Sequence, residues 1–315
     1  MSIELESNID IESYLKKQKS LIDEELKNLF KENNYVEPQK LWDAVRYSVL
    51  EGGKRIRGIL CLATNESLGN LYIQDCLTTA CSIEIIHAMS LMHDDLPCMD
   101  NDDFRRGKPS CHKAYGEATA ILAGDAMLTL SLNLIAEKTS KISQAQKLEI
   151  INVLAKAFSF GLVPGQILDL SYMGKSEDII DFKITENISR LKTAELFRAS
   201  VICGAIISKD KNYSQFKITP EDLFERLSGF GLKIGTAFQI VDDILDITGD
   251  TKTLGKTSGK DEKQKKATYP MKIGIENSKK LAKELVTSAK ADLEDIQLKN
   301  PSLFSLANHV INRIN

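Results

Sequence analysis

Residues 83–100, IEIIHAMSLMHDDLPCMD, join a long apolar run to an acidic cluster, and residues 238–247, FQIVDDILDI, repeat that combination. Both runs are typical of helices that pack inside a protein. Carboxylates in such apolar surroundings are costly unless they are paired or bind cations. The two runs therefore predict buried helices whose acidic clusters serve a bound cation.

The spacing within each cluster indicates how its carboxylates are presented. Asp242 and Asp246 stand four residues apart, which places them on one helical face. Pro97 separates Asp94 from Asp100, so Asp100 is expected to reach back from a turn. One DDxxD motif alone is equally typical of a solvated acidic surface, but two of them on apolar helices favour a metal site.

Ligand chemistry points to magnesium as the metal. Hard carboxylate oxygens make up both clusters and no zinc-type Cys/His pattern accompanies them, which favours Mg²⁺. The predicted metal ligands are Asp94, Asp95, Asp100, Asp242, Asp243 and Asp246.

Helical periodicity dominates the rest of the chain. Leu15, Gln18, Ile22 and Leu26 trace one stripe of a first helix that begins at Ile11. Further helices are predicted to begin near Pro38, Ile56, Gln74, Thr119, Gln146, Thr185, Pro220, Met271 and Pro301. Alternating strand patterns are missing, so the sequence predicts an all-α fold and one domain over the whole chain, residues 1–315.

Composition narrows the function classes. The net charge of -3 argues against a nucleic-acid surface, which would need a basic face. The longest apolar stretch, near Ala118 to Ala136, contains Asp125 and other polar residues, so no membrane span is predicted. Six cysteines without a CxxC pair, mostly among apolar residues, indicate reduced core thiols. With an acidic start unlike a signal peptide, these features predict a cytoplasmic protein.

Two basic segments complement the acidic clusters. Residues 52–57 are GGKRIR, and Arg105 and Arg106 follow the first acidic cluster. Separate acidic and cationic groups describe a pocket for two polyanions, one held through magnesium and one held directly by basic side chains. Taken alone, GGKRIR fits equally well a helix-terminating glycine pair followed by basic surface residues.

In family order, several segments resemble the motifs of short-chain trans-prenyl diphosphate synthases: GGKRIRG, IHAMSLMHDDLPCMDNDDFRRGKPSCHK, AILAGDAM, KTAELFRAS, FQIVDDILD and LGKTSGKDEKQKKATYP. They extend from about Trp42 to Pro270. The acidic segment is most similar to plant- and cyanobacterial-type geranylgeranyl diphosphate synthases. Gly58 is a departure, because many members carry proline there, and it is expected to alter only the turn after Arg57.

The resemblance implies a large helical bundle with a central cavity, acting as a magnesium-dependent prenyltransferase. Such an enzyme joins isopentenyl diphosphate to an allylic diphosphate, here dimethylallyl, geranyl or farnesyl diphosphate. A homodimer is expected on the same basis. Within this chemistry a farnesyl diphosphate synthase is the alternative. Two remoter alternatives are a non-catalytic partner subunit and a terpene cyclase. The first usually lacks one aspartate cluster, and the second normally lacks the second cluster and the GGKRIR site, whereas this chain has all three features.

The family motifs assign roles residue by residue. Matched to the diphosphate of isopentenyl diphosphate are Lys54, Arg57, His87 and Arg106. Matched to the allylic diphosphate are Arg105, Lys192 and Lys256. The positions matched to its magnesium ligands are Asp94 and Asp100, with Asp242 opposite. For Asp95, Asp243 and Asp246 the resemblance leaves open whether they bind metal, bind water or orient neighbours. Thr193 and Gln239 match polar groups beside the nascent carbocation.

Two of these assignments have a local alternative. His87 stands seven residues before Asp94, nearly two helical turns, which returns it to the same face at about 10 Å; a lone histidine on an apolar helix is more usually a core residue. Lys266 lies near the end of the lysine-rich stretch Gly249–Thr268. The resemblance implies that this stretch closes over bound substrate and excludes water, whereas its composition alone predicts a solvated loop.

Product length is predicted from the helix that leads to Asp94. Met89 and Ser90 lie just over one turn before Asp94, about 6 to 8 Å along the helix. Related farnesyl synthases tend to carry an aromatic ring at the Met89 position, whereas methionine is narrow and flexible. A twenty-carbon product is therefore predicted. The alternative is that Met89 packs in the core and another residue forms the cavity floor.

Overall fold

The computed structural model describes residues 9–31, 37–176, 178–210, 218–248, 266–294, 296 and 298–314. Its first helix, Ile11–Leu29, begins where Asp10 accepts a hydrogen bond from the Ser13 N–H and so caps the helix. Ile22 and Leu26 lie on the buried stripe that the periodicity predicts.

In chain order the elements are α1 Ile11–Leu29, α2 Gln39–Leu50, α3 Ile56–Leu68, α4 Ile73–Asp94, β1 Phe104–Arg105, β2 Lys108–Pro109, α5 Cys111–Tyr115, α6 Glu117–Lys138, α7 Gln144–Lys156, α8 Val163–Tyr172, α9 Phe182–Ser189, α10 Glu195–Ile207, α11 Pro220–Thr248, α12 Tyr269–Ile273, α13 Ile275–Glu294 and α14 Ser302–Asn312. Two π-helical segments, Ala157–Leu162 and Arg190–Ala194, join α7 to α8 and α9 to α10.

The prediction of an all-α fold is confirmed. Sequence reasoning missed the two-residue antiparallel pair β1–β2, which is too short for an alternating pattern.

Helix α4 lies at the centre of the fold. It packs against α3 and α6, and α11 packs against α10 and α13. Along α4, residues from Asp75 to Met92 are buried apart from the partly exposed Leu77, His87 and Leu91, as expected for a helix that is apolar on nearly all sides. A hydrophobic core from Ile22 to Val310 encloses both α4 and α11.

The acidic segment after α4 turns back on the helix end as predicted. The Asp100 N–H donates to the Asp94 carbonyl at 2.8 Å, and the Asn101 N–H donates to the Leu96 carbonyl at 3.1 Å. These bonds bring Asp100 beside Asp94 although six residues separate them in sequence. Pro97 interrupts helical continuation within the turn.

The cysteines mostly occupy the core. Cys61, Cys76, Cys81, Cys111 and Cys203 are buried free thiols, as predicted. Cys98 differs, because it lies in the turn after α4 and is exposed.

Two helices, Glu117–Lys138 and Gln144–Tyr172, are long and apolar enough to cross a membrane by length and composition. Only 39% of each apolar window is buried within this chain. Core helices of soluble proteins pass the same criterion, so this observation is weak support for a membrane span. The prediction of no span stays a prediction.

Candidate active site

A cavity of about 930 Å³ opens beside the carboxyl end of α4. Its walls come from the loop before α3, from α4, from the π-helical segment Arg190–Ala194, from α11 and from the residues that begin α12. The predicted site residues that line it are Lys54, Arg57, His87, Ser90, Asp94, Asp100, Arg105, Arg106, Lys192, Thr193, Gln239, Asp242, Asp243 and Lys266. The fold therefore gathers most of the predicted site around one space. Lys256 lies outside the described residues.

The first acidic cluster faces two lysines. Lys266 Nζ donates to Asp100 Oδ2 at 2.8 Å, and Lys192 Nζ lies 3.8 Å from Asp94 Oδ2. Asp169, on α8, joins both lysines: its Oδ2 is 2.7 Å from Lys192 Nζ and 3.8 Å from Lys266 Nζ. Carboxylates and ammonium groups thus alternate across the cavity wall.

Burial and charge set the protonation of this network. Burial raises the pKa of Asp94, although Lys192 lowers it. Burial lowers the pKa of Lys192, but the carboxylates of Asp94 and Asp169 outweigh it and leave the pKa raised. The pKa of Lys266 is raised as well, since Asp169 and Asp100 overcome its burial and the repulsion from Lys192. Both lysines are ammonium ions at neutral pH, which suits the binding of a phosphate.

Sequence reasoning missed Asp169. Asp169 lies in the mostly apolar stretch Leu162–Leu170, whose last six residues are GQILDL. A carboxylate in apolar surroundings is costly without a partner, and the same argument that identified the two acidic clusters could have identified Asp169. A single aspartate lacks the paired spacing of DDxxD, which explains the omission.

Asp95 lies outside the cavity lining and is held by Arg105. Arg105 Nε donates to Asp95 Oδ1 at 3.1 Å, and Arg105 Nη2 forms a second, shorter contact with the same oxygen. This pair ties β1 to the end of α4 and leaves Arg105 on the cavity wall. Of the roles that the sequence leaves open for Asp95, its geometry favours orienting a neighbour.

The second acidic cluster divides in a similar way. Asp242 lines the cavity and accepts a 2.6 Å hydrogen bond from Arg313 Nη2, whose guanidinium stacks 4.7 Å from the centre of the Phe238 ring. Sequence reasoning missed Arg313 because nothing near it in the chain marks it. Asp246 is fully buried and lies outside the cavity lining.

Asp243 and Gln239 connect α11 to both sides of the cavity. Gln239 Nε2 donates to Asp243 Oδ1 at 2.7 Å, and the Tyr269 N–H donates to Asp243 Oδ2 at 3.1 Å. Thr193 Oγ1 donates to Gln239 Oε1 at 2.7 Å. The π-helical segment that carries Thr193 is a distortion common at functional sites.

The cationic side of the cavity is built around Arg57 and His87. Arg57 Nη1 lies 3.2 Å from His87 Nε2, and its guanidinium lies 4.7 Å from the centre of the Phe197 ring. Burial lowers the pKa of Arg57 to about 10, so Arg57 stays charged at neutral pH. Burial, and after it the charge of Arg57, lowers the pKa of His87. Neutral His87 can therefore accept from Arg57.

Arg106 closes this side against the loop before α3. Its Nη1 donates to the Gly52 carbonyl at 2.7 Å. Gly53 has φ 105°, and a Cβ placed there would lie 2.7 Å from Arg106 Nη2. A side chain at residue 53 would displace Arg106, which accounts for glycine at this point.

Comparison with known proteins decides the family. The sequence pattern described as polyprenyl synthetase matches residues 38–300. The chain is also 41% identical over 313 residues to the geranylgeranyl diphosphate synthase of Cyanophora paradoxa, covering 99% of both chains. The chain belongs to the polyprenyl synthetase family. The family resemblance read from its motifs is confirmed.

Two further relatives agree. The chain is 43% identical over 283 residues to the chloroplastic heterodimeric geranylgeranyl pyrophosphate synthase large subunit 1 of Arabidopsis thaliana, covering 89% of this chain and 74% of that protein. It superposes with a TM-score of 0.80 on the geranyltransferase of Helicobacter pylori complexed with magnesium and isoprenyl diphosphate, at 32% identity and 97% coverage of both chains. The fold is that of a polyprenyl synthetase.

The donor set of this polyprenyl synthetase fits magnesium. Asp94, Asp100 and Asp242 offer hard oxygens to one cavity, as Mg²⁺ prefers. Within the described ranges, no three His, Cys, Asp or Glu side chains stand close enough to hold one ion. Each of the three aspartates also lies beside one basic group: Asp94 beside Lys192, Asp100 beside Lys266 and Asp242 beside Arg313.

The two residues predicted to set product length are placed differently. Ser90 lines the cavity, and its Oγ donates to the His87 carbonyl at 2.9 Å. Met89 is 1% exposed and lies in the core outside the cavity lining. Control of product length by Met89 stays a prediction.

Proposed function

We propose that this polyprenyl synthetase is a geranylgeranyl diphosphate synthase, which adds isopentenyl diphosphate to allylic diphosphates. The observation that carries the proposal is that two acidic clusters and a separate cationic group line one cavity. Such a cavity holds two diphosphates in different ways, one through metal and one directly. The names of the relatives from Cyanophora paradoxa and Arabidopsis thaliana support the twenty-carbon product.

In this proposal each substrate has its own group of side chains. Lys54, Arg57, neutral His87 and Arg106 bind the diphosphate of isopentenyl diphosphate. Arg105, Lys192, Lys266 and, outside the described residues, Lys256 bind the allylic diphosphate. Asp94, Asp100 and Asp242 would hold magnesium, which supplies charge neutralisation to the allylic diphosphate.

The reaction breaks the carbon–oxygen bond of the allylic diphosphate and forms a carbon–carbon bond to the alkene of isopentenyl diphosphate. Ammonium groups of Lys192 and Lys266 stabilise the charge that develops on the departing diphosphate. The oxygens of Thr193 and Gln239, fixed by their mutual hydrogen bond, face the positive charge left on the allyl group. A proton then leaves the new intermediate, and the released diphosphate accepts it.

Product analysis tests this function. The full chain is incubated with Mg²⁺, radiolabelled isopentenyl diphosphate and dimethylallyl, geranyl or farnesyl diphosphate, and dephosphorylated products are separated by chromatography. All three primers are expected to yield the twenty-carbon alcohol. Products that stop at fifteen carbons would identify a farnesyl synthase, and the absence of any elongated product would overturn the proposal.

The prediction for chain length is that Met89→Tyr shortens the main product to fifteen carbons. A tyrosine ring one turn before Asp94 is expected to block chain growth towards the core. Because Met89 is fully buried, tyrosine overpacks the site and is expected to cost about 1–3 kcal/mol of stability. Chromatography of products, with thermal unfolding as the control, checks this. An unchanged twenty-carbon product from a folded variant would assign the cavity floor to another residue.

The two diphosphate groups of residues predict selective kinetic defects. Arg57→Ala is expected to raise the KM for isopentenyl diphosphate about tenfold or more, because a charge-assisted hydrogen bond contributes about 1.5–3 kcal/mol. Arg105→Ala is expected to act chiefly on the KM for the allylic substrate. Steady-state kinetics with each substrate varied in turn measures both. Equal effects of both variants on both substrates would contradict the division.

A second copy of the chain is proposed as the partner. Four large apolar side chains on the segment from α6 to α8, Leu122, Leu148, Phe160 and Ile167, are 59–74% exposed. Exposed apolar side chains that join into one patch mark interaction sites, and a homodimer that buries these four would remove them from water. Sedimentation analysis is expected to give twice the 35.1 kDa mass of the chain.

We also propose that residues 1–315 form a single polyprenyl synthase domain and that the protein acts in the cytoplasm. The buried free thiols support the cytoplasmic location, because thiols stay reduced in that compartment.

A further inference from the structure

The loop that carries Lys54 into the cavity has an unusual backbone. Gly52, Gly53 and Arg55 all have positive φ angles, of 84°, 105° and 55°. A non-glycine residue in this region is disfavoured unless its surroundings fix it. Arg55 forms no side-chain cap at the start of α3, so the fixing contacts must come from elsewhere.

The Arg55 side chain is held by three helices. Its Nε donates to Asp23 Oδ1 of α1 at 2.9 Å, and its Nη2 donates to the Val49 carbonyl of α2 at 2.7 Å. Its Nη1 lies 3.7 Å from Glu84 Oε2 of α4. Arg55 is only 2% exposed, so the first arginine of GGKRIR anchors the loop while Lys54 and Arg57 serve the cavity.

Glu84 makes a second contact with the same loop. Its Oε1 accepts a 2.8 Å hydrogen bond from the Gly58 N–H, in the first turn of α3. Glu84 is 2% exposed and stands one helical turn before His87 on α4. One carboxylate thus contacts both ends of the segment from Arg55 to Gly58.

Gly58 provides the N–H that this contact needs. The proline common at this position in the family has no N–H to donate. A Cβ at residue 58 would lie 2.9 Å from Ile22 Cδ1 and 3.1 Å from Glu84 Cγ. The departure at Gly58 therefore provides both the donor and the room for Glu84, which is more than the altered turn expected from sequence.

We infer that Glu84 is a positioning residue for the binding of isopentenyl diphosphate. By contacting the Arg55 guanidinium and accepting from the Gly58 N–H, Glu84 fixes the segment that carries Lys54 and Arg57. The inference rests on the proposed function, because it assigns those two cations to that substrate.

The test compares Glu84→Ala with Glu84→Gln in the full chain. Alanine removes the acceptor of the buried Gly58 N–H, so the KM for isopentenyl diphosphate is expected to rise about tenfold. The kcat and the allylic KM are expected to stay within about twofold. Glutamine retains an oxygen for the Gly58 N–H and is expected to restore the KM to within about threefold of wild type.

A binding measurement accompanies the kinetics. Calorimetric titration of isopentenyl diphosphate in the presence of a metal chelator is expected to show the same loss for alanine and the same recovery for glutamine. Glu66→Ala is the matched control, because Glu66 accepts hydrogen bonds from Tyr14 and Gln18 away from the cavity. It is expected to lower stability and leave the KM unchanged. If Glu84→Ala does not fold, Glu84→Asp, which draws the carboxylate back, is expected to raise the KM about threefold or more.

Three results would overturn the inference: an unchanged KM in Glu84→Ala, a glutamine variant as impaired as alanine, or equal rises for both substrates. Wild-type protein that forms no elongated product would instead remove the proposed function, and the chelated titration would still report whether Glu84 positions the anion site.

Discussion

Replacing Asp94 or Asp242 by asparagine is expected to lower kcat about a hundred-fold or more, because each change removes an anionic ligand proposed for magnesium. Both carboxylates line the cavity, Asp94 as the last residue of α4 and Asp242 within α11. Asparagine preserves shape, and burial already raises the pKa of Asp94, so the fold is expected to survive. Turnover at saturating Mg²⁺ and helical content by circular dichroism measure the two effects.

Asp292→Asn provides the control for that pair. Asp292 also accepts from a lysine on α11, Lys233, at 2.7 Å, but it lies outside the cavity lining. It is expected to retain wild-type turnover. Near-normal turnover by Asp94→Asn or Asp242→Asn would remove the two-cluster metal site from the account.

The second large effect is expected at Lys192. Lys192→Ala removes a protonated ammonium group that lies between Asp94 and Asp169 and faces the cavity. It deletes a charge proposed to stabilise the departing diphosphate, which is expected to lower kcat about 10²–10³-fold. It also leaves two buried carboxylates without their common partner, so the pKa of Asp94 is expected to rise further.

Lys233→Ala is the matched control for Lys192→Ala, because it also removes a lysine from an ion pair, here with Asp292 outside the cavity lining. Single-turnover kinetics with geranyl diphosphate separates loss of chemistry from loss of binding. A defect in Lys192→Ala confined to the KM, with kcat unchanged, would show that Lys192 binds the ground state and does not assist bond cleavage.

Helices and clusters were predictable because their signals are local. The predicted helix starts from Ile56 to Pro301 lie within three residues of the observed ones. The turn that returns Asp100 to Asp94 followed from Pro97 alone. The assignment of Arg57 and His87 to one place needed the family motif, and the 3.2 Å contact between them agrees with it.

Contacts between distant segments were not predictable, since no periodic pattern encodes them. Asp169 meets Lys192 and Lys266 only after α8, the π-helical segment and α12 pack around the cavity. Arg313 reaches Asp242 across 71 residues of sequence. Adjacent aspartates also diverge: the sequence cannot show that Asp94 faces the cavity while its neighbour Asp95 holds Arg105.

The GGKRIR segment shows how both kinds of information combine. The family motif assigned Lys54 and Arg57 to a substrate and gave Arg55 no role, and in the structure Lys54 and Arg57 line the cavity while the Arg55 side chain contacts Asp23 and Glu84. This arrangement of side chains depends on positive φ angles at Gly52, Gly53 and Arg55. A positive φ is common for glycine, but nothing in the sequence indicates it for an arginine.

A crystal structure of the full chain with Mn²⁺ in place of Mg²⁺, isopentenyl diphosphate and a non-cleavable allylic thiolodiphosphate tests the central claim most directly. Anomalous scattering is expected to place Mn²⁺ against Asp94, Asp100 and Asp242, with the allylic diphosphate on Lys192 and Lys266. Isopentenyl diphosphate is expected on Lys54 and Arg57. Metal density away from these aspartates, or both diphosphates on the same basic group, would contradict the account.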